Sequence, residues 1–241
     1  MRTTTTLLIA AAALAAAVTS SQAQTVYSQN IVGYVNQVLP GSPNFSLVQN
    51  PLQGTTNAAE QVITCVQFGD SVLTWNGTGF NSAIYAPGLN DDNTVWVDAN
   101  SFSDIPSPQI TPGEGVFYEN NQGVNETNTY VGTCVLSNTI VLTGSPNFTL
   151  VGSTVPIGGD INSTNFNLPV QFGDSVLTWN GTGFDSDIYA PGLNDDSTVW
   201  VDANSFADVA DPQLSVGQGF FYENNQGSDE TWQQNDSYII P

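Results

Sequence analysis

Lysine and histidine are absent from this chain and Arg2 is its single arginine, set against 22 Asp and Glu residues. That imbalance removes whole classes of chemistry. Side-chain catalytic triads, phosphate loops that need a lysine, Schiff-base lysines and histidine-ligated zinc sites have no parts to be built from. Carboxylate chemistry remains, of the kind glycoside hydrolases perform with two Asp or Glu residues. Glu119 and Glu223, on aromatic-flanked stretches, are the best placed for it, but they read as strand-end carboxylates facing solvent, so no enzymatic activity is expected. Nucleic acid and anionic membrane surfaces are poor partners, and no nucleic-acid binding is expected, because both need basic residues to offset phosphate charge.

Long apolar runs are also scarce. The one that occurs, Leu7 to Val18, follows Arg2 and precedes the small-residue ending Ser21-Gln22-Ala23. A positive start, a short apolar core and a small-residue cleavage site are the layout of a secretory signal peptide, and the core is shorter than a membrane-spanning helix needs. Residues 1–23 are therefore expected to be removed, leaving a soluble protein that is secreted, extracellular or at the cell surface and does not insert into a membrane. Losing Arg2 takes the formal charge from −21 to −22, and every charged side chain left is a carboxylate. Side-chain salt bridges are then impossible, and stability must come from burial, hydrogen bonds and candidate bound cations. Carboxylates spread over a surface on the order of 10,000 Å² lie about 20 Å apart, beyond the Debye length of about 10 Å at 0.1 M salt, so the repulsion is largely screened.

Cysteine is limited to Cys65 and Cys134, which have no counterparts in the second half of the chain, where Pro169 and Tyr238 stand. In an exported chain two cysteines more often pair than not. A Cys65–Cys134 disulfide is expected, and closing so long a loop would be worth roughly 4 kcal/mol in the chain-entropy model.

What the chain has in abundance is itself. Val66 to Gly123 recurs without a gap as Val170 to Gly227, a repeat of about 104 residues with about a dozen differences, mostly small swaps such as Ile105 for Val209. Outside the leader no segment carries a helical period, although Ala58 to Val62 allows one helical turn. Asp70–Trp75, the turn Asn76-Gly77-Thr78-Gly79 and Phe80–Tyr85 read as a hairpin that recurs at Asp174–Tyr189. Further short strands are expected at Phe45–Val48, Thr94–Asp98 and Val116–Glu119, with closing strands at Thr129–Leu136 and Ser237–Ile240. The fold class expected is all-β: two tandem β-sandwich or barrel domains, residues 24–137 and 138–241.

Two kinds of site remain. Asp91 and Asp92, with Asp98 a short strand away, and their counterparts Asp195, Asp196 and Asp202, are candidate calcium ligands, since calcium takes several carboxylate oxygens. Their spacing matches no standard calcium loop, and the competing reading is acidic loops that keep the surface soluble. Trp75, Trp96, Trp179 and Trp200 are read as core rather than sugar-stacking platforms. Trp232 lies outside the repeated block and has no aromatic equivalent, which makes it the candidate glycan platform.

The series Ile31-Val32-Gly33-Tyr34-Val35-Asn36, Phe45-Ser46-Leu47-Val48-Gln49-Asn50-Pro51-Leu52, Leu73-Thr74-Trp75 and Pro112-Gly113-Glu114-Gly115-Val116-Phe117 resembles a group of uncharacterised secreted β-repeat proteins of verrucomicrobial and planctomycete-type bacteria. The resemblance implies a fold and an exported setting and says almost nothing about activity. Copy two departs from the pattern at Gly152-Ser153-Thr154 and at Val216-Gly217-Gln218-Gly219, and Gln218 in place of Glu114 puts any ionic role of Glu114 in doubt. The function expected is an acidic structural or cell-surface-associated protein that assembles with itself by strand-edge addition, Val26–Val35 being the candidate strand. The alternative is an extracellular glycan-binding module assisted by Ca2+.

Overall fold

The computed structural model describes residues 32–42, 44–90, 94–135, 137–145, 147–194 and 199–235. The expected signal peptide, residues 1–23, and Val26–Ile31 lie outside them, as does the expected closing strand at Ser237–Ile240. Copy one contains β1 (Val32–Leu39), β2 (Phe45–Gln49), the short helix α1 (Ala59–Val62), β3 (Ser71–Trp75), β4 (Phe80–Tyr85), β5 (Trp96–Asp98), β6 (Asp104–Ile105), β7 (Gly115–Glu119) and β8 (Glu126–Thr133). Copy two contains β9 (Ser137–Leu142), β10 (Phe148–Gly152), β11 (Gly159–Asp160), β12 (Ser175–Trp179), β13 (Phe184–Tyr189), β14 (Trp200–Asp202), β15 (Asp208–Val209), β16 (Gln213–Leu214), β17 (Gly219–Glu223) and β18 (Glu230–Asn235). The closing strands fall earlier than the sequence suggests, at 126–133 and 230–235.

The protein is all-β, two tandem sandwiches related by the repeat. Each copy holds a six-stranded antiparallel sheet, β2-β7-β3-β4-β5-β6 and β10-β17-β12-β13-β14-β15. Each also holds a two-stranded ribbon in which the strand before the Gly-Ser-Pro-Asn turn pairs with the closing strand, β1 with β8 and β9 with β18. The hairpins form where the sequence places them because Asn76 caps its own turn: its Oδ1 accepts from the N–H of Thr78 at 3.1 Å and of Gly79 at 2.9 Å, while Gly77 takes a φ of 96° that an L side chain resists. Asn180 repeats the arrangement with Thr182 and Gly183.

Strand alternation decides which face each side chain serves. In β17, Phe220 and Tyr222 join the core of copy two with Val151, Val176, Trp200 and Trp232, packing the sheet against its own ribbon. Phe221, between them, points the other way and meets Leu47, Phe117 and Leu150. Copy one buries the matching residues Val116, Tyr118, Val48, Val72 and Trp96. Both sheets are thus covered on both faces, and the layers run ribbon, sheet, sheet, ribbon.

The two sheets therefore share a core, and Val32 onward belongs to one compact unit. Polar contacts across this seam are reciprocal. Trp75 Nε1–H donates to the carbonyl of Phe148 and Trp179 Nε1–H to that of Phe45, both at 2.9 Å. The N–H of Gln49 donates to Gly217 O at 2.8 Å and that of Gly152 to Gly113 O at 3.0 Å. Trp75 stands edge-to-face on Phe221 at 5.3 Å and Trp179 on Phe117 at 5.3 Å.

One point breaks this reciprocity. Gln49 and Gly152 close the equivalent strands β2 and β10, and a Cβ on Gly152 would lie 2.2 Å from Cγ of the buried Gln49. The departure of copy two from Gln-Asn-Pro thus makes room for the side chain that copy one keeps. Gly152→Ala is expected to destabilise the fold by about 1–3 kcal/mol through overpacking, and Gln49→Ala in the same chain to restore much of that loss. A double-mutant cycle in denaturant checks both, and additive effects would contradict the direct clash.

Candidate functional site

Several residues singled out by sequence turn out to hold structure. Asp98 Oδ1 accepts from Asn100 N, Ser101 N and Ser101 Oγ, at 3.1, 2.8 and 2.8 Å, and these bonds hold its carboxyl below the usual carboxylate range. Asp202 does the same with Asn204 and Ser205. One oxygen of each, Oδ1, caps the turn that carries Phe102 or Phe206 at positive φ. Asp91, Asp92, Asp195 and Asp196 lie outside the described residues. Among the described residues no group of three or more acidic, Cys or His side chains is placed to hold a metal ion. Glu114 caps its own turn, accepting from Thr111 N–H at 3.1 Å, and Gln218 accepts from Ser215 N–H at 2.9 Å in the same place. The bond needs an acceptor oxygen and no charge, which is why glutamine serves.

Trp232 is not a surface platform. It is fully buried, its Nε1–H donates to Phe166 O at 2.7 Å, and its ring lies 6.0 Å from Phe220. The alternation of β18 accounts for this: Thr231 and Gln233 face out, Trp232 and Gln234 face in. Copy one places Asn128 at this position, and its Nδ2 donates to Val62 O at 3.0 Å, so an amide and an indole do the same work in the two copies. Trp96 and Trp200 are core, as expected. Trp75 and Trp179 are half-buried in the seam between the copies.

Cys65 and Cys134 are not joined by a disulfide. Cys65 lies beside Glu126, at the start of β8, whereas Cys134 follows the end of that strand and sits against the ribbon at Gly33. Eight residues of strand place the two about 20 Å apart, far beyond the Cα separation a disulfide spans.

Sequence reading missed the most constrained carboxylates. Asp70 and Asp174 stand immediately before β3 and β12 and are fully buried in a fold without a single described cation. Asp70 Oδ2 accepts from Gln67 N–H at 2.7 Å and from Tyr118 Oη–H at 2.6 Å, and Oδ1 from Asn121 N–H at 2.9 Å and Gln122 Nε2 at 3.0 Å. Asp174 repeats all four contacts with Gln171, Tyr222, Asn225 and Gln226. Burial, then the bond to each aspartate, push both phenols far above the ordinary tyrosine value, so they stay protonated as donors. The only signal available was a Gly-Asp pair at a strand start, repeated in both copies.

Two concavities mark the seam. The larger, about 540 Å³, runs past Gln53, Thr111, Glu114, Asn138 and Thr149, and the Glu114 and Thr149 side chains are already engaged with local backbone. The smaller, about 240 Å³, is lined by Trp75, Phe80, Phe148, Leu177, Phe184 and Phe221 and exposes no polar surface. Phe80 and Phe184 form its rim, 40% and 39% exposed, each the cross-strand partner of a seam tryptophan. This aromatic hollow is the candidate binding site, because its lining is concave, partly exposed and uncommitted. No family model, no curated protein and no solved structure matches the chain.

Among the described residues the carboxyl of Asp187 is pushed up to about 6, by burial first and then by the charges of Asp202, its register partner, and Asp185. A carboxyl whose folded pKa lies above its unfolded value near 3.9 costs stability when ionised. That cost is absent below about pH 4 and grows as pH rises through 6. Asp187→Ala, the residue copy one carries as Ala83, is expected to stabilise at pH 7 by about 1 kcal/mol, less than the full shift because solvent screens a half-exposed side chain. Melting curves at pH 5 and 7 check this, and a gain equal at both would contradict it. Ellman titration of unfolded, unreduced protein should count two thiols. In the folded protein Cys65 should react slowly near pH 8, because burial and the charge of Glu126 push its thiol up to about 12.

Proposed function

We propose that this is a secreted, acidic, non-catalytic structural or cell-surface-associated protein that assembles with its own copies along a strand edge. The observation that carries the reading is the outer ribbon of copy one. β1 pairs only with β8, so its other edge has no strand partner among the described residues. Val32, Tyr34, Val38 and Val131 share the outer face, with Tyr34 72% and Val131 64% exposed. Edge strands are ordinarily blunted with charge, proline or a bulge, and Val32–Leu39 contains no charged residue and no proline.

Copy two carries Ser137 where copy one carries Tyr34, so only one of the two ribbons offers this apolar face. A surface present once per chain joins two copies either patch to patch, which closes as a two-fold dimer, or patch to a second complementary surface, which extends. Val32–Val35 already pairs within its own copy, so addition would occur at the open edge of β1 and needs no release of the strand. The absence of catalysis is supported by the commitment of Asp70 and Asp174 to internal hydrogen bonds. The resemblance to secreted β-repeat proteins supports the exported setting and leaves activity open. Burial of Trp232 removes the aromatic platform from the glycan-binding alternative.

Light scattering after size exclusion, with electron microscopy, on residues 24–241 tests the reading. Assemblies are expected to grow from low salt to about 0.5 M salt, as screening relieves the repulsion between like-charged copies. Tyr34→Asp with Val131→Asp should give monomers of unchanged circular dichroism. A monomer at every salt and protein concentration, with or without calcium, would sink the proposal, as would a double variant that assembles like the parent.

A further inference from the structure

We infer that the aromatic hollow on the seam binds a quaternary ammonium group. Its floor is Phe221, which stands edge-to-face with Trp75, Phe80, Phe148 and Phe184 at 5.3, 6.2, 6.1 and 5.6 Å and interplanar angles of 84, 73, 82 and 68°. Rings steeply inclined to one another wall a small volume from several directions, and ring faces carry the negative end of the aromatic quadrupole.

The lining selects its ligand in two steps. The one polar atom among its side chains, Trp75 Nε1, already donates to Phe148 O, and the hollow exposes no polar surface. A hydroxyl, a carboxylate or a primary ammonium entering it would give up hydrogen bonds to water and find none in return. What can enter without that loss is a group with neither N–H nor O–H: a neutral hydrocarbon or a fully alkylated ammonium. Electrostatics separate these two. Beyond Arg2 every charged side chain in the chain is a carboxylate, so the field of the molecule favours a cation, and the rings supply cation–π attraction that a hydrocarbon does not receive. The site exists only where the copies meet, since Trp75 and Phe80 come from one and Phe148, Leu177, Phe184 and Phe221 from the other.

Calorimetry and tryptophan fluorescence on residues 24–241, at fixed ionic strength, compare choline and tetramethylammonium chloride with 3,3-dimethylbutan-1-ol, the neutral isostere of choline, and with ethanolamine. Saturable binding of the two quaternary ions is expected, at least ~10-fold tighter than the neutral isostere and than ethanolamine. Phe80→Leu and Phe184→Leu keep the rim apolar while removing a ring face. Each is expected to weaken the quaternary ions several-fold and leave the neutral isostere unchanged. Both rings also pack on Phe221, so circular dichroism confirms that each variant is folded before binding is read, and either variant alone suffices if the other misfolds. Co-sedimentation with phosphatidylcholine vesicles would assign the group to a lipid headgroup, and binding confined to free choline to a soluble solute; both agree with the inference. Equal or tighter binding of the neutral isostere, ethanolamine binding as well as choline, or no saturable binding would overturn it.

Discussion

A carboxyl group buried where no described residue carries a positive charge is the constraint around which each copy is arranged. Removing Asp70 from water is tolerable only if neutral donors replace the water it loses. The fold supplies them from three places at once: the turn at Gln67, the phenol of Tyr118 on β7, and the turn at Asn121 and Gln122. Because those donors belong to separate stretches, satisfying one carboxylate fixes how the start of β3, the middle of β7 and the turn after β7 sit together. The bond from Tyr118, at 2.6 Å, is the shortest of the four. A lysine or arginine at this place could have closed the site with an ion pair; here a phenol and amides do so.

The same composition shapes how the copies join. A surface rich in carboxylates of one sign resists any second surface like it, and no basic patch is available to bridge the two. The seam is accordingly apolar, built from Leu47, Phe117, Leu150 and Phe221, and the polar contacts that cross it are neutral indole and amide donors to carbonyls. Hydrophobic burial needs no complementary charge, so a chain restricted to carboxylates can still hold two of its own domains together. The strongly exposed apolar face of β1 and β8 follows the same logic on the outside of the molecule.

Much of this was legible in the residues. The repeat, the hairpins around Asn76 and Asn180, and the strands ending at Glu119 and Glu223 follow from turn chemistry and alternation, which are local. Runs such as Gly219-Phe220-Phe221-Tyr222 depart from alternation because both faces of the sheet are covered, one by its ribbon and one by the other copy. That second cover is a contact between residues far apart in the chain, and no local pattern announces it. Trp232 was misjudged for a related reason: its lack of an aromatic counterpart says nothing about which face of β18 it occupies, whereas the polar Thr231 and Gln233 on either side do. The distance between Cys65 and Cys134 depends on the length of β8, and Asp70 looked like any polar residue at the head of a strand.

Gln49 lying against Gly152 bears on the history of the molecule as well as on its stability. Two identical subunits meeting across a two-fold axis must present the same residue at equivalent positions, so a bulky side chain on one can never be matched by a vacancy on the other. Covalent linkage lifts that restriction, because each half can then mutate alone. The reciprocal tryptophan bonds keep the imprint of a symmetric pair, while the glutamine and the glycine opposite it form a complementarity open only to a pair whose members have ceased to be interchangeable.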